Sequence, residues 1–297
     1  MAPNDVLPRP IAAQRAVLRV VCNDRPGLVA DVASLLYKLG VNILHADEHI
    51  DPEANTFFQR LDFLVSPEVA AGGREAFRKE IGQHCDAWGM RWSLRFRDEL
   101  RRVAVLVSKR PHCGLDLLAR HRAGELSCEI PVVISNHPDM ELEVTRRGYP
   151  FVHEAIAGGD KAAQELRVRE RLKKERIDLV VLARYMQILT PAFVQEWSEK
   201  IINIHHSFLP AFIGADPYRQ AYRRGVKLIG ATSHYVTENL DEGPIIAQAV
   251  ERVSHRDAVE DLERMGRDLE RVVLAHALRL HLEDRIVAYG NKTVVFD

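Results

Sequence analysis

The amino-acid sequence predicts an α/β protein with two domains, and three observations carry this prediction. Its 297 residues exceed the roughly 100–200 residues of a typical domain. Short apolar strands alternate with two helical patterns in the N-terminal third, whereas later strands are nearly continuous apolar runs separated by helices. A charged run at 97–102 separates the two patterns and is predicted to be the linker. We therefore place one domain at 14–97 and the other at 102–297.

The N-terminal third predicts the element order βαββαβ. Its elements are a strand at 16–22, a helix at 28–39, strands at 42–51 and 57–65, a helix at 73–85 and a strand at 91–96. The first helix follows a turn-forming sequence at 23–27 and stops at Gly40. The residues expected on its apolar face are Val29, Val32, Leu35, Leu36 and Leu39. This order within about 80 residues is the ferredoxin-like arrangement.

The remaining chain predicts a Rossmann-like domain with a mostly parallel sheet. The predicted strands are 102–108, 130–136, 178–184 and 201–207, and the predicted helices are 115–122, 139–147, 161–175, 192–199 and 258–281. Such apolar strands alternating with helices are typical of a parallel sheet covered on both faces. A strand pair at 285–290 and 293–296 is expected to end the chain.

Composition limits the function classes. The 41 Lys and Arg nearly balance the 42 Asp and Glu, for a net charge of −1, which argues against a dedicated nucleic-acid binder. The four cysteines are widely spaced and are predicted to be reduced thiols. No signal-peptide pattern and no apolar run of the ~20 residues that span a bilayer is found, so we expect a cytoplasmic protein without a membrane partner.

Two polar strand ends indicate where chemistry takes place, because open parallel sheets bind ligands at the carboxyl ends of their strands. Asn203 and His205 follow an apolar run, and strand alternation places their side chains on the same side. An amide and an imidazolium together can donate hydrogen bonds to a developing oxyanion. Asp241 precedes a Glu-Gly-Pro turn and can reach back toward them.

The residues alone leave other interpretations open. The adjacent histidines could cap a turn, and Asp241 could serve only as a turn former. A metal site of His205, His206 and His234 is disfavoured because adjacent strand residues point to opposite faces, so we predict no metal ligands. A serine hydrolase is disfavoured because no G-x-S-x-G sequence is present.

Two sequences, NIHHSFLPAF at 203–212 and GATSHYVTENLDEGPII at 230–246, resemble the active-site signature of the folate-dependent formyltransferases. The resemblance implies that Asn203, His205 and Asp241 are catalytic. The sequence LARYMQIL at 182–189 is similar to the family's folate-binding segment. The substrate-binding residues implied are Arg184, Met186, Gln187, Ile188, Leu189, His206, Gly214 and His234. The implied substrate is 10-formyltetrahydrofolate, with no permanently bound cofactor.

Within this family, the acceptor distinguishes the branches. Members that formylate a phosphate-bearing amine cradle the phosphate with several glycines, whereas 108–114 contains one glycine and a proline. His206 also stands where those members have a proline. These features, with SKRPHC at 108–113, SNHPD at 135–139 and YGNKTVVF at 289–296, resemble the formyltetrahydrofolate deformylases, which transfer the formyl group to water. That branch implies formate for purine synthesis and a balanced one-carbon folate pool.

Two alternatives remain, a formyltransferase to an amine and an amino-acid sensor without turnover. Three residues depart from the deformylase pattern, namely Arg219, Asp216 and Gln59.

The N-terminal sequences DRPGLV at 24–29 and GVNI at 40–43 resemble an ACT domain, a small-molecule sensing module. The resemblance implies an amino-acid effector at Asp24, Pro26, Gly27 and Asn42, and a homodimer or homotetramer. The alternative is that 24–27 only starts a helix, with an early proline and a flexible glycine.

Overall fold

The computed structural model describes residues 14–66, 69, 72–211 and 216–297. The chain divides into two units, the first reaching Glu99 and also including Phe296–Asp297, and the second comprising Leu100–Val295. The linker predicted at 97–102 is shorter in the structure, because a strand already begins at Arg101.

The first unit includes a four-stranded antiparallel sheet and, among its described residues, two helices with complete bounds. Its elements are β1 (Gln14–Asn23), α1 (Leu28–Lys38), β2 (Val41–Asp51), β3 (Thr56–Val65), α2 (Arg74–Ala87) and β4 (Arg91–Phe96). The strand order is β2-β3-β1-β4, and every paired neighbour is antiparallel. The predicted βαββαβ order is therefore confirmed.

The apolar face of α1 differs from the prediction in one position. The helix buries Leu28, Val32, Leu35 and Leu36, whereas Val29 is 46% exposed. Because α1 begins at Leu28, the residues spaced four and seven positions later complete the buried stripe, and Val29 lies outside it. The predicted burial of Val29 is wrong.

A buried carboxylate joins three arginines in this unit. Asp62 on β3 accepts hydrogen bonds from Arg15 Nε at 2.7 Å and Arg97 Nη2 at 2.8 Å, and Arg60 Nη2 lies 3.3 Å away. Burial alone would raise the pKa of Asp62, but the hydrogen bonds from Arg15 and Arg97 lower it to about 2. The ionised carboxylate therefore stabilises the guanidinium groups around it.

The second unit contains a seven-stranded sheet. Its strands are β5 (Arg101–Val107), β6 (Cys128–Ser135), β7 (Phe151–His153), β8 (Leu179–Ala183), β9 (Ile201–His205), β10 (Leu228–Tyr235) and β11 (Ile245–Arg252). The order is β11-β10-β9-β8-β5-β6-β7, with β5 to β9 parallel and β10 and β11 antiparallel. The final hairpin pairs β12 (Ile286–Tyr289) with β13 (Lys292–Val295). The predicted mostly parallel α/β fold is confirmed.

Helices cover both faces of this sheet. They are α3 (His112–Arg122), α4 (Glu141–Arg146), α5 (Lys161–Lys174), α6 (Pro191–Glu196), α7 (Pro217–Arg224) and α8 (Val259–Leu282). One core includes Leu117 and Leu278, and the opposite core includes Leu172 and Phe193. The chain leaves β5 toward β6 and later returns to its other side as β8, which makes their carboxyl ends the expected ligand crevice.

Two further findings concern the whole described chain. All four cysteines are free thiols. Within the residues that the structure describes, no helix is both long enough and apolar enough to cross a membrane.

The Asp62 cluster leads to a prediction about stability. Asp62→Asn removes a buried charge to which three arginines donate hydrogen bonds, so we expect the free energy of unfolding at pH 7 to fall by about 2–3 kcal/mol. The stabilisation by Asp62 is present above the unfolded pKa of about 3.9 and is lost as pH falls toward 2. The difference between wild type and variant should therefore narrow as the pH is lowered from about 5.

Urea unfolding of the full chain at several pH values measures this effect. The control is Asp98→Asn, because Asp98 bonds an arginine, Arg74, but its side chain is 66% exposed. That variant should unfold almost like the wild type. Equal stability losses in the two variants would contradict the role of burial at Asp62.

Candidate active site

The pairing of β9 with β10 brings two polar residues together. In this antiparallel register His234 lies opposite Asn203, and Thr232 lies opposite His205. Ser233 Oγ donates a hydrogen bond to the backbone oxygen of Asn203 at 3.0 Å. As a result, Asn203 Nδ2 lies 3.3 Å from His234 Nε2.

Asp241 completes the group from the loop after β10. Its Oδ2 is 3.2 Å from His205 Nδ1, and its Oδ1 is 3.7 Å from His234 Nε2. The backbone of Asp241 has a φ of +57°, a left-handed conformation that Asp adopts more readily than most residues. The structure thus brings together Asn203, His205, His234 and Asp241, as the sequence predicted.

Electrostatics keep Asp241 ionised. Burial alone would raise its pKa, but the hydrogen bond from His205 and the proximity of His234 outweigh burial and lower the pKa below its usual range. His234 Nδ1 donates to the backbone oxygen of Tyr235 at 2.9 Å, which leaves Nε2 to face Asn203 and Asp241.

One nitrogen of His205 remains available. With Nδ1 bonded to Asp241, the buried Nε2 has no hydrogen-bond partner among the residues that the structure describes. A buried ring nitrogen without a hydrogen-bond partner lowers the stability of the folded protein. His205 Nε2 and the amide of Asn203 are therefore two polar groups that face a substrate atom in the adjoining cavity.

A cavity of about 280 Å³ opens in front of these residues. The sequence-predicted binding residues that line it are Arg184, Met186, Gln187, Ile188, Leu189, His206 and His234. Met186 is 59% exposed, so it belongs to a ligand-accessible wall and not to the core. Gly214, also predicted to bind substrate, lies outside the described residues. Because the sequence places the predicted folate-binding residues here, this cavity is hereafter called the folate cavity.

The segment after β8 is held by one face of α5, a set of contacts that sequence reasoning missed. Gln164 Nε2 donates to Tyr185 Oη at 2.8 Å, and the backbone nitrogen of Thr190 donates to Glu165 Oε1 at 3.0 Å. Lys161 Nζ donates to the backbone oxygen of Ile188. Sequence reasoning could have found these contacts from the spacing of the three helix residues at i, i+3 and i+4, since such positions share a helix face.

A second cavity of about 350 Å³ shares Arg184, Met186 and His206 with the folate cavity. Its deepest acid is Glu270 on α8, which is 1% exposed. Glu270 accepts a hydrogen bond from Tyr218 Oη at 2.8 Å, and its other oxygen lies 2.7 Å from His112 Nε2. We call this second space the polar cavity. Sequence reasoning also missed Glu270, because one acid in a charged helix gives no sign of burial.

Glu270 is ionised despite its burial. Burial alone would raise its pKa, but the hydrogen bond with His112 and the charge of Arg184, whose Nε is 3.5 Å away, lower it. His206 has the opposite character, because burial first, and then the charges of Arg184 and His205, lower its pKa to about 3. His206 is therefore neutral at physiological pH.

Two of the departures from the deformylase pattern pair with each other. Arg219 Nε donates to Asp216 Oδ2 at 2.9 Å, and Asp216 lines the polar cavity. Their charges offset, which explains how both substitutions coexist. Gln59 lies buried in the first unit and donates to Glu48 Oε1 at 3.0 Å.

The residues predicted to bind an effector are not brought together within one chain. Asp24, Pro26 and Gly27 form the turn after β1, whereas Asn42 begins β2. Along β3, the partner of Asn23 and the partner of Asn42 are eight residues apart. At about 3.3 Å per residue this separates the two places by about 26 Å, too far for one small ligand to contact both. Gly27, with a φ of +91°, also begins α1, as the helix-start alternative requires.

The fold and the site define a formyl-handling α/β enzyme class joined to a ligand-sensing module. Residues 101–278 match the family model described as formyl transferase, and residues 16–82 match the ACT domain model.

Similar proteins narrow the family. The chain is 51% identical to the formyltetrahydrofolate deformylase of Synechocystis sp., over 95% of this chain and 98% of the relative. The crystal structure of a formyltetrahydrofolate deformylase from Pseudomonas syringae pv. tomato superposes with a TM-score of 0.92 at 44% identity, covering 96% of this chain and 95% of that one. This chain belongs to the formyltetrahydrofolate deformylase family.

A transferase structure gives the contrast. Glycinamide ribonucleotide transformylase 1 from Symbiobacterium toebii superposes with a TM-score of 0.65 at 35% identity, over 69% of this chain but 98% of that chain. The similarity therefore covers the fold that both branches share. This chain is longer than the transferase and has an additional part that the transferase lacks.

The electrostatics of His206 can be tested directly. Because burial and nearby positive charge disfavour the imidazolium, we expect its ring signals in long-range proton–nitrogen NMR spectra to stay unchanged from pH 8 to pH 5. His206→Gln identifies the signals by their loss. A titration midpoint for those signals inside this pH range would contradict the neutral state.

Proposed function

We propose that this chain hydrolyses 10-formyltetrahydrofolate to formate and tetrahydrofolate. The observation that carries the proposal is the placement of Asn203, His205 and Asp241 around one wall of the folate cavity. The full-length similarity to deformylases supports the same reaction. The cavity wall supplies donors, an ionised carboxylate and an exposed apolar surface, which is what a formylated pterin needs.

The roles follow from the geometry. Water attacks the formyl carbon, and a new carbon–oxygen bond forms while the carbonyl oxygen becomes an oxyanion. Asn203 Nδ2 and protonated His205 Nε2 donate hydrogen bonds to this oxygen. The carbon–nitrogen bond to N10 then breaks, N10 takes up one proton that derives from the water, and the other water proton is released to solvent as formate leaves.

Asp241 acts as an ionised group in this scheme. Because its pKa is lowered, it holds the Nδ1 proton of His205 and accepts a hydrogen bond from the attacking water. The positive charge of this protonated His205 is stabilised by the carboxylate. The proton from the water therefore passes to N10 within the group formed by Asp241 and His205.

Water as acceptor is supported by the polar cavity. The segment 108–114 runs from the end of β5 into α3, its one glycine, Gly114, lies inside that helix, and His112 at the start of the helix lies against Glu270. Glu270 is already bonded to His112 and Tyr218, so its oxygens are engaged and do not await an amine. Neutral His206 fills the wall between the two cavities.

The folate itself is assigned to the segment from Arg184 to Leu189. Arg184, Met186, Gln187, Ile188 and Leu189 line the folate cavity, and the exposed Met186 and Ile188 offer apolar contact to a planar ring. The contacts from α5 keep the backbone of this segment in place. The substrate is the folate, and no permanently bound cofactor takes part.

The two domains have separate tasks in this proposal. Residues 102–297 carry catalysis, and residues 14–97 form an ACT-type module for regulation or assembly of a homodimer or homotetramer. The turn at Asp24 and the strand start at Asn42 lie at opposite ends of the sheet. An amino-acid effector that contacts both must therefore sit between two copies of the chain. We place the enzyme in the cytoplasm, where the formate supplies purine synthesis.

Incubation of the purified protein with 10-formyltetrahydrofolate and no amine tests the reaction. We expect formate and tetrahydrofolate to accumulate in equal amounts, and glycinamide ribonucleotide to leave the formate yield unchanged. Asp241→Asn should lower kcat by about 100–10,000-fold, because water and His205 lose their charged partner. The measurement is formate release over time.

The matched control is Glu242→Gln, an exposed acid next to Asp241. It should keep the wild-type rate. Absence of formate from the wild-type reaction would refute the proposed function, whereas full activity of Asp241→Asn would refute only the role of that residue.

The effector site makes a separate prediction. An amino acid that binds the folded protein raises its thermal midpoint, so each of the common amino acids is tested by thermal unfolding. Both Asp24→Ala and Asn42→Ala should abolish the shift, while Ser34→Ala on the exposed side of α1 should retain it. Light scattering gives the number of copies. A shift that survives in one of the two variants would rule out a shared site.

A further inference from the structure

The polar cavity and the folate cavity meet at the place where the formyl group is cleaved. They share Arg184, Met186 and His206, and His206 is the direct neighbour of His205 in the chain. The ring centroids of His205 and His206 are 5.1 Å apart. A small product released beside His205 therefore has the polar cavity as the adjoining space.

The acids of the polar cavity already have partners. Asp216 accepts from Arg219 at 2.9 Å, and Glu263 Oε2 lies 3.7 Å from Arg267 Nη1. Glu270 is bonded by Tyr218 and His112. The carboxylates of the wall are therefore neutralised or saturated, and a cationic ligand would find no unengaged acid there.

The guanidinium of Arg184 is in the opposite situation. Its side chain is 6% exposed, and neither Nε nor Nη1 makes a hydrogen bond to any part of the chain that the structure describes. Glu270 Oε2, at 3.5 Å from Nε, offsets the charge without satisfying the donors. Unsatisfied buried donors on a charged group destabilise the folded protein, and an anion that accepts hydrogen bonds from them removes that cost.

A second cation marks the mouth of the cavity. Arg110 lines the polar cavity and is exposed, and it has no ion-pair partner within the described residues. An exposed arginine without a counter-charge raises the local concentration of small anions. The cavity thus has a buried guanidinium with free donors inside and a positive charge at its opening.

We propose that the polar cavity is a binding site for a small monocarboxylate, with formate as its ligand and Arg184 as its donor. A planar guanidinium matches a carboxylate with two parallel hydrogen bonds. The site receives formate as it leaves the folate cavity and separates it from tetrahydrofolate. This inference rests on the proposed hydrolysis, since formate is the product, but binding can be measured without turnover.

The experiment titrates carbon-13 formate into the full-length protein without folate and follows line broadening and the ring signals of His206. We expect saturable binding that shifts the His206 signals and leaves those of His153, exposed at the end of β7, unchanged. Acetate should compete with formate, whereas glycinamide, a cation, should not. Unshifted His206 signals at saturating formate would overturn the proposal without the use of any variant.

Variants test the assigned donor. Arg184→Met should weaken formate binding at least tenfold, and Arg184→Lys should give an intermediate affinity because it keeps the charge but loses the planar pair of donors. The control is Arg264→Gln, an exposed arginine on α8 that pairs with Asp261. Thermal midpoints confirm that each variant is folded. Unchanged formate affinity in folded Arg184→Met would refute the assignment.

The outcomes separate this inference from the proposed function. Formate binding without hydrolysis would keep the carboxylate site and reject the reaction. Hydrolysis without formate binding at the polar cavity would keep the reaction and reject the site.

Discussion

The antiparallel pairing of β10 with β9 is the constraint on which the catalytic geometry depends. The neighbouring strands are parallel, and their polar residues would lie only at one edge of the sheet. Reversal of β10 places His234 beside Asn203, inside the sheet and not at its rim. The loop that follows must then return across the carboxyl end of β9, which brings Asp241 to His205. The left-handed backbone at Asp241 completes this return.

Buried carboxylates then fix the parts that surround this pairing. Asp241 orients His205, Glu165 holds the backbone at Thr190, and Glu270 gathers Tyr218 and His112. Each carboxylate is offset by donors from a different element, so its burial links segments that are distant in the chain. Removal of one partner would leave a charge without compensation, which is costlier than the loss of one ordinary hydrogen bond. These contacts tie together the segments that form the walls of both cavities.

The sequence predicted what local patterns determine. Apolar periodicity gave the order of the strands and helices, and strand alternation placed Asn203 and His205 on one side. Glu270 escaped prediction because its neighbours in α8 include many exposed acids and arginines, and only tertiary packing buries this one. Val29 was misplaced because it lies at the edge of the helical face that packs against the sheet, and only this packing decides which edge residues are buried. The separation of Asn42 from the turn at 24–27 depends on strand direction, which composition does not reveal.

The contrast between the two cavities explains how one fold can favour water as acceptor. A transferase needs an acid or a phosphate cradle that waits for its second substrate. In this chain the acid, Glu270, is engaged by Tyr218 and His112, and the one glycine of the segment 108–114 lies inside α3. What remains unsatisfied is a donor, Arg184. A site whose unused groups are hydrogen-bond donors cannot accept a hydrogen bond from an ammonium group. It can donate to an anion such as the formate that forms when water reacts. The choice of acceptor therefore follows from which buried groups keep an unused hydrogen-bond donor, and in this chain that group is Arg184.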